Sequence, residues 1–118
     1  MSEAVSIIHH LTPAAWYADG DPGAPYLPEA FDADGFIHCT DGLENVVATA
    51  NRHCRADPRP YLLLRIDTRR VTAVIRYEDP AHIYPHIYGP LDRAAIIDAT
   101  PMPRAEDGTF LPLPHLPA

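Results

Sequence analysis

Residues 61–78 read YLLLRIDTRRVTAVIRYE, and this stretch is the strongest indication of the fold class. Two runs rich in aliphatic and aromatic residues, 61–67 and 71–78, lie on either side of the short polar segment 68–70. Runs of this kind around a tight polar turn are typical of an antiparallel β-hairpin. The sequence therefore predicts two paired strands in the middle of the chain.

Outward from this hairpin, the pattern predicts more strands than helices. Further strands are expected at 5–11 (VSIIHHL), 35–40 (GFIHCT) and 94–99 (AAIIDA). No repeat interrupts them, and local hairpins mix with longer connections. The sequence therefore predicts an α+β fold.

Two helices are expected. Thr12 and Pro13 supply an N-cap and a first helical position for a brief helix that ends before Gly20. Asp41 and Glu44 have the spacing of a capping box at the start of a longer helix that ends near residue 54. Its apolar residues recur on one face, as expected for a helix packed on a core; they are Leu43, Val46, Val47 and Ala50.

The chain has the length of one domain, 1–118, which can bury about two-thirds of its unfolded surface. We expect its core to span about 5–99. The segment 100–118 is rich in proline, which disfavours regular structure, and is expected to wrap the surface. The polar segment 20–34 is longer than most loops and is more typical of a lid or binding loop.

Charge and composition exclude several classes of protein. The formal net charge is −7 and lysine is absent, so a nucleic acid is an unexpected partner. The apolar stretches are only a few residues long, short of the ~20 that span a bilayer. Cys39 and Cys54 lack CxxC spacing and no leader is recognised, so a reduced, cytoplasmic protein is expected.

Five aromatic or imidazole side chains lie within residues 77–88, a segment kinked by Pro80 and Pro85. They are Tyr77, His82, Tyr84, His86 and Tyr88. Rings held on a stiff, irregular backbone are typical of a binding or catalytic loop. This segment is predicted to form one wall of a cleft.

Strand alternation indicates which side chains face that wall. His10 shares the more polar face of the first strand, whereas His9 shares the apolar face and is the better candidate for a structural histidine. In GFIHCT, His38 lies on one face with Phe36, opposite Cys39. The same alternation places Glu78 with Arg76 at the end of its strand. His10, His38, Glu78 and His86 thus come from four segments that one site would bring together.

Two other chemistries fit poorly. His82 and His86 have HxxxH spacing, but Pro85 between them prevents the helix that would align them as metal ligands. Cys39 and its neighbour His38 point to opposite faces, so His38 cannot activate that thiol. No metal site is therefore expected.

The motifs IIHHLT, GFIHCT and YPHIYGPL, with Trp16 between the first two and a strand ending in YE before the third, resemble the bacterial family catalogued as domain of unknown function 952. The resemblance covers about residues 7–97. That family is remotely similar to the ADP-ribosyltransferase-like fold, which includes tRNA 2′-phosphotransferases and toxins that consume NAD. The resemblance implies a split, antiparallel-rich β-sheet with a central cleft, and NAD as a co-substrate. The position after the first histidine is usually glycine in that fold, and here it is Leu11.

The resemblance also implies roles for individual residues. Glu78, or His86 in its place, would be the catalytic residue at the nicotinamide ribose. His10 and His38 would contact ribose hydroxyls, Tyr84 or Tyr88 would stack on nicotinamide, and Arg76 would meet the pyrophosphate.

Two alternatives stay open. A non-catalytic module could bind a nucleotide or an ADP-ribosylated group in the same cleft, and a regulatory protein could use a partner of unknown kind. Release of nicotinamide that depends on Glu78 separates the enzyme from both.

Overall fold

Two three-stranded antiparallel sheets carry the fold, which is α+β. The computed structural model describes residues 6–113. In these residues the strands are β1 Ile7–Pro13, β2 Ile37–His38, β3 Tyr61–Asp67, β4 Val74–Tyr77, β5 Pro85–Tyr88 and β6 Ile96–Pro101. The α-helices are α1 Ala14–Asp19, α2 Phe31–Asp34 and α3 Leu43–His53, and short 3-10 turns cover Thr68–Arg70 and Arg93–Ala95. The first sheet has the order β1-β3-β6 and the second β2-β5-β4.

β3 is the central strand of the first sheet because it is apolar on both faces. Leu63 packs on one side against α3, and Leu64 and Ile66 pack on the other side between the two sheets; all three are fully buried. A strand buried on both faces gains most when both of its edges are also paired. β1 and β6 supply those two edges.

The hairpin predicted within residues 61–78 is wrong. Both runs form strands, but β4 pairs with β5 in the second sheet, and β3 pairs with β1 and β6. The tight turn is real: the Asp67 carboxylate accepts the Arg69 backbone N–H at 3.0 Å. However, the side chains of β4 alternate between exposed and half-buried, and Val74 is 55% exposed. This pattern suits the edge of a sheet that has one open face.

Three α-helices are present in the described residues, one more than expected, because α2 lies within the polar segment 20–34. The helix α3 is confirmed, with Val46 and Ala50 buried. Its N-cap is Gly42 with φ of 89°, and no side chain caps it, so the capping box of Asp41 and Glu44 is wrong.

The first helix also begins later than predicted, at Ala14. Thr12 belongs to β1, which runs on to Pro13, and the Thr12 hydroxyl bonds to Tyr26 instead of capping the helix. The predicted start of this strand, Val5, lies outside the described residues. Local capping signals are thus overridden by strand pairing with β3.

The proline-rich tail does more than wrap the surface. Thr100 and Pro101 extend β6, and Met102 and Phe110 are buried against α3 and Leu63. Proline prevents a helix here but permits an extended segment whose side chains reach the core. The rest of the predicted tail, 114–118, lies outside the described residues.

Within residues 6–113, no helix has both the length and the apolar character needed to cross a membrane.

Candidate functional site

A cleft of about 640 Å³ opens between the two sheets and the C-terminal half of α3. Five of the predicted site residues line it: His10, His38, Glu78, Tyr84 and His86. Tyr88 and Arg76 lie beside them on the second sheet and do not line the cleft. The structure therefore brings together the four segments that the sequence assigned to one site.

His10 is buried in the wall of the cleft with both ring nitrogens engaged. Nδ1 donates to the His38 carbonyl at 2.7 Å, because a carbonyl can only accept. Nε2 then accepts from the Tyr26 hydroxyl at 2.9 Å, and the Thr12 hydroxyl in turn donates to Tyr26, also at 2.9 Å. Burial lowers the pKa of His10 to about 4, so the ring is neutral at physiological pH.

The hydrogen-bond chain of His10 defines its role. The bond to the His38 carbonyl ties β1 to β2, and the bond to Tyr26 ties β1 to the segment before α2. In this arrangement both ring nitrogens of His10 are occupied by hydrogen bonds within the protein. Sequence reasoning did not find Tyr26, because no local pattern marks it.

His9 lies on the opposite face of β1 and is also buried. Its Nδ1 lies 3.3 Å from the Thr40 carbonyl, and burial lowers the pKa of its ring. His9 does not line the cleft, in keeping with the structural part that alternation predicts for it.

Four rings cluster on one side of the second sheet, and two of them, His38 and His86, line the cleft. Phe36 stacks on His86, with ring centroids 4.1 Å apart, and contacts His38 at 4.6 Å and Tyr88 at 5.3 Å. Residues 85–88 are a strand, so a third of the segment 77–88, predicted as an irregular loop, is regular. Alternation along β2 and β5 is what puts these rings on one face.

Glu78 follows β4 and is held by two of these rings. The Tyr88 hydroxyl donates to Glu78 Oε1, and His86 Nδ1 lies 3.2 Å from the same oxygen. Hydrogen bonds from Tyr88 and then His86 lower the pKa of Glu78, so the carboxylate stays ionised. Both bonds end on Oε1, and within residues 6–113 Oε2 has no hydrogen-bond partner, so it can accept from a ligand.

The other carboxylates that line the cleft have other partners. Glu29 pairs with Arg59 through two bonds of 3.2 Å. Asp34 lies 2.9 Å from His38 Nε2. Asp79 accepts the backbone N–H groups of residues 83 and 84 and shapes that turn.

The cation of the cleft is on α3 and was missed by sequence reasoning. Arg52 is the one arginine among the described residues that line the cleft, and its Nη1 donates to the Tyr84 hydroxyl at 3.1 Å. Hydrogen bonds from Thr49 and from Arg52 lower the pKa of Tyr84. Arg52 follows Thr49 on the helix by three residues, a spacing that places both on one face, and this signal could have found it.

The described residues contain no group of three or more histidine, cysteine or acidic side chains suited to a metal ion. His82 stacks on Tyr77, whereas His86 stacks on Phe36, so the HxxxH pair is divided between two ring clusters. Cys39 faces the core, and burial raises the pKa of its thiol, which disfavours a nucleophilic thiolate.

Removing the Tyr26 hydroxyl with Tyr26→Phe is expected to lower the free energy of unfolding by about 1–3 kcal/mol, because it leaves the buried Nε2 of His10 without a donor. Urea unfolding measures this. The control is Tyr17→Phe, since this half-buried ring packs against Tyr26 and its loss of a hydroxyl should change the free energy by less than about 0.5 kcal/mol. Equal effects of the two variants would contradict the hydrogen-bond chain.

A family model described as protein of unknown function (DUF952) matches residues 10–99. The chain belongs to the DUF952 family. The matched segment contains every predicted site residue, from His10 to Tyr88. A search of curated proteins finds no match.

Solved structures support the fold. The chain is similar to the crystal structure of protein CC0527 from Caulobacter crescentus, with a TM-score of 0.75 and 21% identity over 90% of this chain and 94% of that one. A double mutant of the same protein matches equally well. At this identity, the likeness concerns the fold of this DUF952 protein alone.

Proposed function

We propose that the protein is an NAD-utilising enzyme of the ADP-ribosyltransferase-like or phosphotransferase-like class, acting at the nicotinamide ribose. The observation that carries the proposal is the position of Glu78. This ionised carboxylate stands at the cleft wall with one oxygen held by Tyr88 and His86 and the other available. The two sheets flanking a central cleft support an ADP-ribosyltransferase-like fold.

Glu78 suits the chemistry of this reaction. Cleavage of the bond between nicotinamide and ribose develops positive charge on the ribose, in a state that resembles an oxocarbenium ion. A fixed carboxylate stabilises that charge and accepts a hydrogen bond from the 2′-hydroxyl. Tyr88 and His86 hold the carboxylate in place before the reaction, so little reorganisation is needed.

The remaining cleft residues take roles in binding. Arg52 replaces Arg76 as the cation for the pyrophosphate, because Arg52 lines the cleft. Tyr84 lies beside Arg52 and offers a ring for nicotinamide. His38 lies beside His86, the partner of Glu78, and bonds ribose hydroxyls. His10 acts through the His38 carbonyl that it holds. A cleft of this volume fits a small-molecule nucleotide.

The proposal places the enzyme in the cytoplasm. Cys39 and Cys54 are both free thiols, a state that the reducing cytoplasm maintains.

Replacing the cleft cation with Arg52→Gln is expected to raise the Kd for NAD about tenfold. A charge-assisted bond to phosphate is worth about 1.5–3 kcal/mol, and the bond of Arg52 lies at the low end because its side chain is exposed. Isothermal titration calorimetry measures the Kd. The matched control is Arg55→Gln, one turn further along, whose guanidinium pairs with Asp107 and does not line the cleft. An equal Kd for the two variants would remove Arg52 from the binding site.

The deciding experiment combines NAD titration with an assay for released nicotinamide. Binding with release supports the enzyme. Binding of NAD or ADP-ribose without release, and with affinity unchanged in Glu78→Ala, supports a non-catalytic binding module. If neither NAD nor ADP-ribose gives heat or a thermal shift, the nucleotide proposal fails and a regulatory role with a protein partner takes its place.

A further inference from the structure

Three basic side chains form a row across the second sheet. His38 on β2 stands directly opposite His86 on β5, and His86 stands directly opposite Arg76 on β4. Directly opposed residues in antiparallel strands project from the same face with Cβ atoms about 4.5–5.5 Å apart. The rings of His38 and His86 meet edge to face, with centroids 5.4 Å apart. The proposed NAD chemistry leaves Arg76 unused.

Each imidazole in the row is bonded to a carboxylate. His38 Nε2 lies 2.9 Å from Asp34, and His86 Nδ1 lies 3.2 Å from Glu78. An ionised carboxylate only accepts, so it fixes the proton on the nitrogen that faces it. The other nitrogens, Nδ1 of His38 and Nε2 of His86, are thereby set as proton acceptors in the neutral rings. Of two such imidazoles side by side, the one that stays neutral can act as a general base, and the one that carries a second proton can act as a general acid.

The row lies on the open face of the sheet. The side chain of His38 is 61% exposed, and Arg76 is also exposed. The opposite face carries Ile37 and Ile87 into the core. Tyr88, 37% exposed, stands on the open face next to His86, and Phe36 stands next to His38. Exposed rings of this kind stack on nucleobases.

We propose that this row cleaves a ribonucleotide phosphodiester that has a free neighbouring 2′-hydroxyl. Arg76 binds the phosphate oxygens, because a guanidinium is the natural partner of a phosphate. Tyr88 stacks on a base. The net charge of −7 and the single arginine in the row restrict the substrate to a dinucleotide or a similarly short one, since long chains need many cations.

The step needs no further reactant. The 2′-oxygen attacks phosphorus while its proton passes to His86 Nε2, and the bond from phosphorus to the 5′-oxygen of the next nucleoside breaks. His38, protonated at Nδ1, donates that proton to the departing 5′-oxygen. The products are a 2′,3′-cyclic phosphate and a free 5′-hydroxyl, and proton exchange with water resets the two rings.

The test uses uridylyl-3′,5′-adenosine with the full-length protein and follows the formation of uridine 2′,3′-cyclic phosphate and adenosine. The wild type is expected to cleave it and to leave 2′-deoxyuridylyl-3′,5′-adenosine intact. His86→Gln and His38→Gln are expected to lose at least ~100-fold in kcat, the range of general acid-base catalysis. Arg76→Gln, a surface change with no effect expected on folding, should lower kcat/KM about tenfold through the phosphate contact.

The control variant is His82→Gln, because His82 stacks on Tyr77 outside the row and its loss should change kcat by less than about twofold. The proposal is overturned if the wild type does not cleave the dinucleotide. It is also overturned if the three row variants cleave as fast as the wild type, or if the deoxy substrate is cleaved equally well. The assay contains no NAD, so its outcome is independent of the nicotinamide-release assay and the two proposals can fail separately.

Discussion

Replacing Glu78 with glutamine is expected to slow the release of nicotinamide from NAD by about 10²–10³-fold, the cost of removing one fixed electrostatic stabiliser from an active site. Glutamine keeps the size of the side chain and an oxygen for Tyr88 to bond, but it removes the charge that opposes the developing positive ribose. The Kd for NAD should change by less than about threefold, because the carboxylate acts chiefly on the transition state. Release is measured by chromatography at saturating NAD, and affinity by calorimetry.

The matched control is Glu106→Gln. Glu106 is exposed in a turn of the tail and does not line the cleft, so the same loss of charge there should leave the rate within about twofold. A Glu78→Gln protein that keeps more than half of the wild-type rate would exclude Glu78 as the catalytic carboxylate. His86→Gln would then be the next variant to assay, since His86 is the other candidate for that role.

Shortening Phe110 to alanine is expected to lower the free energy of unfolding by about 3–5 kcal/mol, the usual cost of removing a buried phenyl ring. Phe110 is only 2% exposed and packs with Val46, Ala50 and Leu63. The Arg104 guanidinium lies over its ring, 4.2 Å from the centroid. The lost ring would leave a cavity between α3 and the first sheet. Urea or guanidinium unfolding, followed by circular dichroism, measures the change.

The neighbouring variant Leu111→Ala is the control, because Leu111 is 40% exposed and its truncation should cost less than about 1 kcal/mol. Loss of the nicotinamide activity is not expected from either variant at temperatures where the protein is folded. A cost below about 1 kcal/mol for Phe110→Ala would mean that the tail does not contribute to the core.

Local periodicity was sufficient to predict much of the fold. The alternating and apolar patterns predicted β3 and α3, and alternation assigned His38 and Phe36 to the face opposite Cys39, as the structure has them. These predictions hold because backbone geometry alone places every second strand residue, or every third to fourth helix residue, on one face. His10, His38, Glu78 and His86 were likewise assigned to one cleft, as polar residues of short strands and of one loop, and all four line it.

Which strands and segments pack against one another could not be predicted from local periodicity. The turn after Asp67 has the residues of a hairpin, yet β3 pairs with β1 and β6 because it is buried on both faces. Arg52 and Tyr26 reach the cleft through α3 and through the segment before α2, and nothing local connects them to the rings of the second sheet. Phe110 is similar, since its burial depends on where the tail crosses α3.

The fold class and the faces of the strands follow from spacing over a few residues, and the sequence also supplies the residue types available for chemistry. Only the packing of the whole chain puts β4 and β5 in one sheet with β2. Because of that pairing, Glu78 meets His86 and Tyr88, and Arg76 stands in line with His86 and His38. The physical reason is that strand pairing follows from burial summed over the whole core, in which distant segments compete for the same edges.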